Sequence, residues 1–177
     1  MVTALSIARL LNGWARFVQH PSRDEIYGVH LGWTIFLFLS VVHFWWFEFG
    51  FSSVVHWPFY LYFFLIFYAA LIFFLCAILF PDQMYDYRNF REYFHSRQKW
   101  FYGLLALMFV VDAVDSAFKG TDHLIALGTP YALRQTVMTV LCLIAIPVRN
   151  LRFHQAFMTL AVLQECWWAI SQFESQQ

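Results

Sequence analysis

The segment from Trp57 to Phe80, WPFYLYFFLIFYAALIFFLCAILF, contains no charged residue. A helix that is apolar on every side does not suit a water-soluble fold, and a run of more than about 18 apolar residues can span a bilayer. The composition agrees, because 61% of the residues are hydrophobic and 12% are charged, against roughly 25% charged in typical soluble domains. The sequence therefore predicts an integral membrane protein whose main solvent is the lipid bilayer.

Four more apolar segments predict further spans. Each must be helical, because lipid offers no hydrogen-bond partner to the backbone. Pro58 and Pro81 mark the boundaries of the most apolar span, and the short link Arg149-Asn150 makes the last two spans an antiparallel hairpin. The predicted fold is all-α, a polytopic transmembrane helical bundle in residues 29–177. Its five spanning helices are predicted at about 29–49, 58–80, 100–118, 131–148 and 151–173.

Residues 1–28 form a separate N-terminal segment in this interpretation. A broad apolar stripe over residues 3–19 is interrupted by Arg9 and Arg16. This pattern predicts an amphipathic helix lying on the membrane surface. A short helix that is partly inserted in the membrane is the alternative.

The distribution of Lys and Arg predicts the orientation. Short cytoplasmic loops carry an excess of these residues, and nine of the eleven in this chain fall on one side of the predicted topology. Lys119 and Arg134 lie on the other side. We therefore expect a cytoplasmic N-terminus and a C-terminus outside.

Polar side chains within the predicted spans indicate the candidate site, since each costs a few kcal/mol to place in lipid. At a rise of 1.5 Å per residue, most of them fall in the outer half of the membrane. Asp112 and Asp115 share one helix face. Arg134 is the guanidinium at a comparable height, so we expect it to neutralise them, and Lys119 lies one turn above Asp115. The predicted polar cluster comprises Asp112, Asp115, Arg134, Glu165, His43, Glu48 and Gln164.

Three interpretations of this cluster remain open. In the first, the cluster is a set of ion pairs that fixes the helix register. In the second, it is a path or a binding site for a proton, a cation or a small polar ligand. In the third, it is an enzyme site. No catalytic residue and no metal site are predicted, because the sequence shows no nucleophile motif and no zinc-ligand spacing. The three cysteines lie in apolar runs that match no metal spacing, and zero net charge gives no reason to expect nucleic acid.

No cofactor is predicted, although two sequence features bear on the question. His30 and His43 stand thirteen residues apart, as in two-haem helices, but only His154 is available on the last span to match them. The Phe-rich second span predicts a lipid-facing surface. A pigment, quinone or lipid packed against it, or another subunit, is the alternative.

Several segments resemble a family of small multi-pass bacterial membrane proteins to which no activity is assigned. They are FWWFEF, FPDQMYDYRNFREYFHSRQKWFYGLLAL with VVDAVDS, and RNLRFH. In that family a segment like ALSIARLLNGWARF continues a first helix that begins further upstream. The resemblance implies a helical membrane fold in the bacterial inner membrane and implies no activity.

The leading functional prediction is a non-enzymatic membrane protein, a structural or accessory subunit that packs in a homo-oligomer or a larger membrane complex. A proton or cation pathway, as in a channel or transporter, is the first alternative. A lipid- or quinone-binding membrane protein is the second.

Overall fold

The computed structural model of the protein describes residues 2–19, 26–48, 58–81 and 86–174, with side chains up to residue 171. The all-α fold class is confirmed for these residues, which contain no strand. The helices in the described ranges are α1 (Val2–Gln19), α2 (Gly28–Glu48), α3 (Phe59–Leu79), α4 (Phe90–Phe118), α5 (Thr121–Ala145) and α6 (Leu151–Glu174).

Helices α2, α3 and α4 are each long and apolar enough to cross a membrane. Helices α5 and α6 have similar lengths, 25 and 24 residues, but their polar residues keep them outside that class. The chain is therefore a membrane protein with transmembrane helices, and composition supports three spans rather than the five predicted.

Helix α4 extends beyond the third predicted span, because it begins at Phe90 rather than at Trp100. The side chain of Asn89 caps the helix by accepting a hydrogen bond from the Glu92 backbone N–H at 2.9 Å. Glu92 in turn accepts one from the backbone N–H of Arg88 at 3.0 Å, an arrangement close to a capping box. The charged segment that resembled a loop is thus the first turns of a helix.

The fourth predicted span also differs from the structure. Helix α5 begins at Thr121, ten residues before the predicted start at Tyr131, and it is kinked at Gly128, whose φ is 66°. Pro130 follows the kink and has no N–H to continue the helix ladder. The segment predicted as a loop before the fourth span therefore contains a short stretch of helix.

Contacts between helix ends show that the helices alternate in direction. His30, near the start of α2, donates from Nε2 to the carbonyl oxygen of Leu79, at the end of α3, at 2.7 Å. At the opposite end of the bundle, Lys119 Nζ lies 3.5 Å from Glu48 Oε1, which joins the ends of α4 and α2. We call the end at which α2, α4 and α6 begin the Arg-rich end, and its described basic residues are Arg9, Arg16, Arg88, Arg91, Arg97, Lys99, Arg149 and Arg152.

Helix α1 docks across the Arg-rich end of α3. Arg9 donates a hydrogen bond to the carbonyl oxygen of Phe80 at 2.7 Å, and Arg16 donates one to that of Pro81 at 2.9 Å. Gly13 makes the close approach possible, because a Cβ there would lie 2.4 Å from the Phe80 ring. The amphipathic helix therefore packs its buried face on protein, and that face contains Ser6, Leu10, Gly13 and Phe17.

An apolar layer crosses the middle of the bundle. On α4 it lies between Tyr102 and Asp112, and on α6 between His154 and Glu165, so it separates two polar regions. The side chains that form it are all buried and belong to α2, α4 and α6. They are Phe36, Leu105, Met108, Phe109 and Phe157.

Candidate functional site

Charged side chains from α2, α4, α5 and α6 meet at the end of the bundle opposite the Arg-rich end. They surround a cavity of about 60 Å³, which is room for several water molecules. Phe36, Met108 and Phe109 of the apolar layer form part of its wall. We call the charged group the acidic cluster, and it consists of His43, Glu48, Asp112, Asp115, Lys119, Arg134 and Glu165.

Glu165 joins three helices. Its Oε1 lies 2.8 Å from His43 Nδ1 on α2, and its Oε2 accepts a hydrogen bond from Arg134 on α5. The Arg134 guanidinium also lies over the Trp168 ring, 5.3 Å from the centroid, in a cation–π arrangement. Glu165 is 4% exposed, so these partners take the place of water around its carboxylate.

Asp112 is held by neutral donors, and the expectation that Arg134 would neutralise it was wrong. Tyr68 donates to its Oδ1 at 2.9 Å, and Tyr131 donates to its Oδ2 at 2.9 Å. Gln135 also donates to Oδ2. Arg134 directly precedes Gln135 on α5. Because adjacent residues on a helix point about 100° from each other, Arg134 faces Glu165 instead of Asp112. Asp112 therefore has its hydrogen bonds, but no cation among the described residues contacts it.

Asp115 and Glu48 share the ammonium group of Lys119. Lys119 Nζ lies 2.5 Å from Asp115 Oδ2, one helical turn away, and 3.5 Å from Glu48 Oε1. The Asp115 and Lys119 side chains are 3% and 4% exposed. The sequence placed Lys119 one turn above Asp115 but did not count it among the residues of the predicted cluster.

The acidic cluster leaves several buried polar atoms without a hydrogen-bond partner among the described residues. They include Asp115 Oδ1, Glu48 Oε2 and Gln135 Oε1. All three belong to residues that line the cavity or contact its walls. A buried acceptor without a donor costs about 1–3 kcal/mol, so these atoms favour a polar occupant of the cavity.

The charges lining the cavity are unequal. Four carboxyl groups face two permanent cations, Lys119 and Arg134. With its two histidines, His43 and His123, neutral, the cavity has a formal charge of minus two. Inside an apolar bundle such an excess requires bound protons or a bound cation.

The structure brings together six of the seven residues predicted for the site. Gln164 is the exception, because it does not line the cavity, and its neighbour on α6 takes that place. Sequence reasoning missed Tyr68 and Tyr131, which bind Asp112. A tyrosine deep in an apolar span was the available signal, since a buried hydroxyl requires a hydrogen-bond partner.

A second polar region lies toward the Arg-rich end and consists of hydrogen-bonded neutral groups. Gln98 donates from Nε2 to the carbonyl oxygens of Ala145, at 2.9 Å, and Val148, at 2.6 Å. Its Oε1 accepts from His95 Nδ1 at 2.8 Å. Nε2 of His95 is then the acceptor for the Tyr27 hydroxyl at 3.2 Å. Burial raises the pKa of the Tyr27 phenol, which keeps it a neutral donor.

The same region contains a second hydrogen-bonded chain. His154 Nε2 donates to the Val148 carbonyl oxygen at 2.9 Å, so its Nδ1 accepts from the Tyr102 hydroxyl at 2.8 Å. Trp33 Nε1 donates to the same hydroxyl oxygen at 3.2 Å. Both nitrogens of His154 are used, and neither remains for haem iron. We call these two chains the histidine network, formed by Tyr27, Trp33, His95, Gln98, Tyr102 and His154.

The described residues contain no group of three or more His, Cys, Asp or Glu side chains placed to hold a metal ion. No family model matches the chain, and no match was found among curated proteins or solved structures. The geometry of the acidic cluster is therefore the best indication of function.

Proposed function

We propose that this chain is a non-enzymatic, multi-pass membrane protein that binds a small polar solute in the cavity of the acidic cluster. The observation that carries the proposal is the presence of buried carboxylate oxygens without hydrogen-bond partners at Asp115 and Glu48, two residues that line a cavity large enough for water. A cluster that served only to lock helices would gain most from complete pairing and a filled interior.

Five membrane crossings, α2 to α6, belong to this proposal. Support comes from the alternation of helix directions and from contacts that hold α5 beside α4 along its length. Gln98 binds the end of α5, and Ser116 Oγ lies 2.7 Å from the Tyr131 hydroxyl near its kink. The polar residues that lower the hydropathy of α5 and α6 include Arg134 and Glu165, which face the cavity rather than lipid.

The proposed location is the bacterial inner membrane with the Arg-rich end in the cytoplasm. The support is the distribution of basic residues, because cytoplasmic ends carry the excess of Lys and Arg. The cavity would then lie in the outer half of the membrane. Single cysteines substituted for Val148, at the Arg-rich end, and for Thr121, at the opposite end, test this orientation when they are labelled from either side of the membrane.

A ligand screen on the detergent-purified protein tests the proposed binding. Small cations, anions and zwitterions are added singly, and the thermal unfolding midpoint is measured for the wild type, Asp115→Asn and Asp122→Asn. We expect one class to stabilise the wild type saturably and to lose its effect in Asp115→Asn. Asp122 is exposed and does not line the cavity, so Asp122→Asn serves as the matched control. Failure of every class to stabilise the wild type would exclude the proposal.

A structural or accessory subunit is the second candidate. It is favoured by the ion pairs of the acidic cluster, which join α2, α4, α5 and α6. This candidate predicts a homo-oligomer or a co-purifying membrane partner in mild detergent. A monomer without a partner would count against it.

A through-going proton or cation pathway has less support than a one-sided binding site. The apolar layer lies between the acidic cluster and the histidine network, and its side chains are buried and closely packed. Wild-type proteoliposomes are therefore expected to conduct protons no faster than protein-free vesicles. A flux that disappears in Asp112→Asn would favour the pathway instead.

Binding of a pigment, quinone or lipid stays a proposal for the surface of α3. Its aromatic side chains are widely exposed, including Phe59 at 80% and Phe63 at 61%. A lipid-facing surface accounts for these values without a ligand. The absorption spectrum and the extracted lipids of the purified protein distinguish the two.

A further inference from the structure

The geometry points to a small monovalent cation as the solute, held between Asp115 and Glu48 beside the ammonium group of Lys119. This inference rests on the proposed binding function and adds the class of ligand. It follows from how the negative charge is distributed within the acidic cluster.

The charge excess is located at two places. Glu165 and Arg134 are paired, and together they are neutral. Asp112 has one negative charge, and three neutral donors stabilise its ionised form. The remaining unit, Asp115, Glu48 and Lys119, contains two carboxylates and one ammonium group.

This unit of three residues has open coordination as well as negative charge. Asp115 uses Oδ2 for Lys119, and its Oδ1 has no partner in the described part of the chain. Glu48 places Oε1 toward the same ammonium group, while its Oε2 is buried and unpartnered. The Asp115 side chain is 97% removed from solvent, so water outside the cavity cannot supply the missing donor.

The valence follows from the same count. Two carboxylates and Lys119 sum to minus one, and one monovalent cation makes the unit neutral. A divalent cation would leave this unit positive, and its second charge would be balanced only by Asp112, whose oxygens already accept three hydrogen bonds.

The cavity has the space that such an ion requires. Its volume of about 60 Å³ holds the ion with part of its water shell. Ser116 and Tyr131 also line the space, and hydroxyl oxygens can accept hydrogen bonds from ammonium or from water around an alkali ion.

The test measures thermal unfolding of the detergent-purified protein at fixed pH and constant ionic strength. NaCl, KCl or NH₄Cl replaces choline chloride, and MgCl₂ and CaCl₂ are run in parallel. We expect saturable stabilisation by at least one of the three small monovalent cations. Glu48→Gln and Asp115→Asn should each weaken the apparent affinity about tenfold or more, since a hydrogen bond or contact to a charged group is lost.

The controls separate the possible failures. Asp122→Asn should leave the affinity unchanged, and Glu48→Gln keeps the test valid if Asp115→Asn fails to fold. Stabilisation by lowered pH alone, with no cation effect, would show that protons neutralise the unit and would overturn the inference. Binding of an anion or zwitterion instead would overturn the cation while keeping the proposed binding function, and binding of no solute would remove both.

Discussion

The acidic cluster and the histidine network are both polar regions inside an apolar bundle, and they differ in how their groups are satisfied. In the histidine network neutral groups pass hydrogen bonds along two chains to the end of α5, as at Gln98 and His154. In the acidic cluster charges are paired across helices, and oxygens of Asp115 and Glu48 remain bare beside a cavity. The first region needs no partner from outside the chain, whereas the second has unpaired oxygens for which we propose a bound cation.

Polarity within a membrane bundle is thus not by itself a sign of function. Gln98 accounts for its own donors and acceptors and supports the ends of α5. It therefore acts as a cap, replacing solvent at a helix C-terminus. Asp115 is buried to a similar degree and keeps an open acceptor, which makes it the better candidate for ligand contact.

The largest expected effect is that of Glu165→Ala. Removing this carboxylate leaves the Arg134 guanidinium and His43 without their buried partner, and breaking a buried pair from one side costs about 3–5 kcal/mol. Denaturant unfolding of the detergent-solubilised protein measures the loss. Leu163→Ala, two positions away and 64% exposed, should change the stability by about 0.5 kcal/mol or less. Equal stabilities of the two variants would show that the cluster is not a stabilising unit.

An intermediate effect is expected for Gln98→Ala in the histidine network. The change leaves carbonyl groups of α5 and one nitrogen of His95 without partners, at about 1–3 kcal/mol in total. Because Gln98 is neutral, the loss of stability should be the same at low and high salt. Unfolding experiments at two salt concentrations measure this. Lys99→Ala on the exposed neighbour is the control. A strong salt dependence of the Gln98→Ala loss would mean that the network is charged.

The smallest effect should come from Tyr102→Phe, which keeps the ring and removes the hydroxyl group between Trp33 and His154. The expected loss is about 1 kcal/mol, measured by the same unfolding experiment. Tyr62→Phe on the exposed surface of α3, where Tyr62 is 56% exposed, should have no measurable effect. If Tyr102→Phe behaves like Tyr62→Phe, the second chain of the histidine network does not contribute.

The fold was predictable where hydrophobicity determines it. The bounds of α2 and α3 agree with the predicted spans within one residue at each end, because lipid selects long apolar helices. The start of α4 was missed because its first turns alternate charged residues with buried ones such as Phe90, Phe94 and Gln98. One face of such a helix is buried against protein and the other is exposed. A hydropathy scan averages the two faces, so it does not detect the helix.

The height of the site residues was also predictable, because the helical rise alone determines it. Their pairing was not, since it depends on the rotation of each helix and on which helices are neighbours. Asp112 and Arg134 lie at a similar height, yet Tyr131 and Gln135 face Asp112 and Arg134 faces Glu165. One position along α5 decides between the two arrangements.

Helix α4 has 29 residues, which at 1.5 Å per residue makes a rod of about 43 Å. The hydrocarbon core of a bilayer is only about 30 Å thick. The rod cannot shorten, so membranes of different thickness must adapt to it by tilt or by local deformation. We expect its amphipathic first turns, capped at Asn89, to lie in the headgroup region and so to determine the depth of the protein in the bilayer.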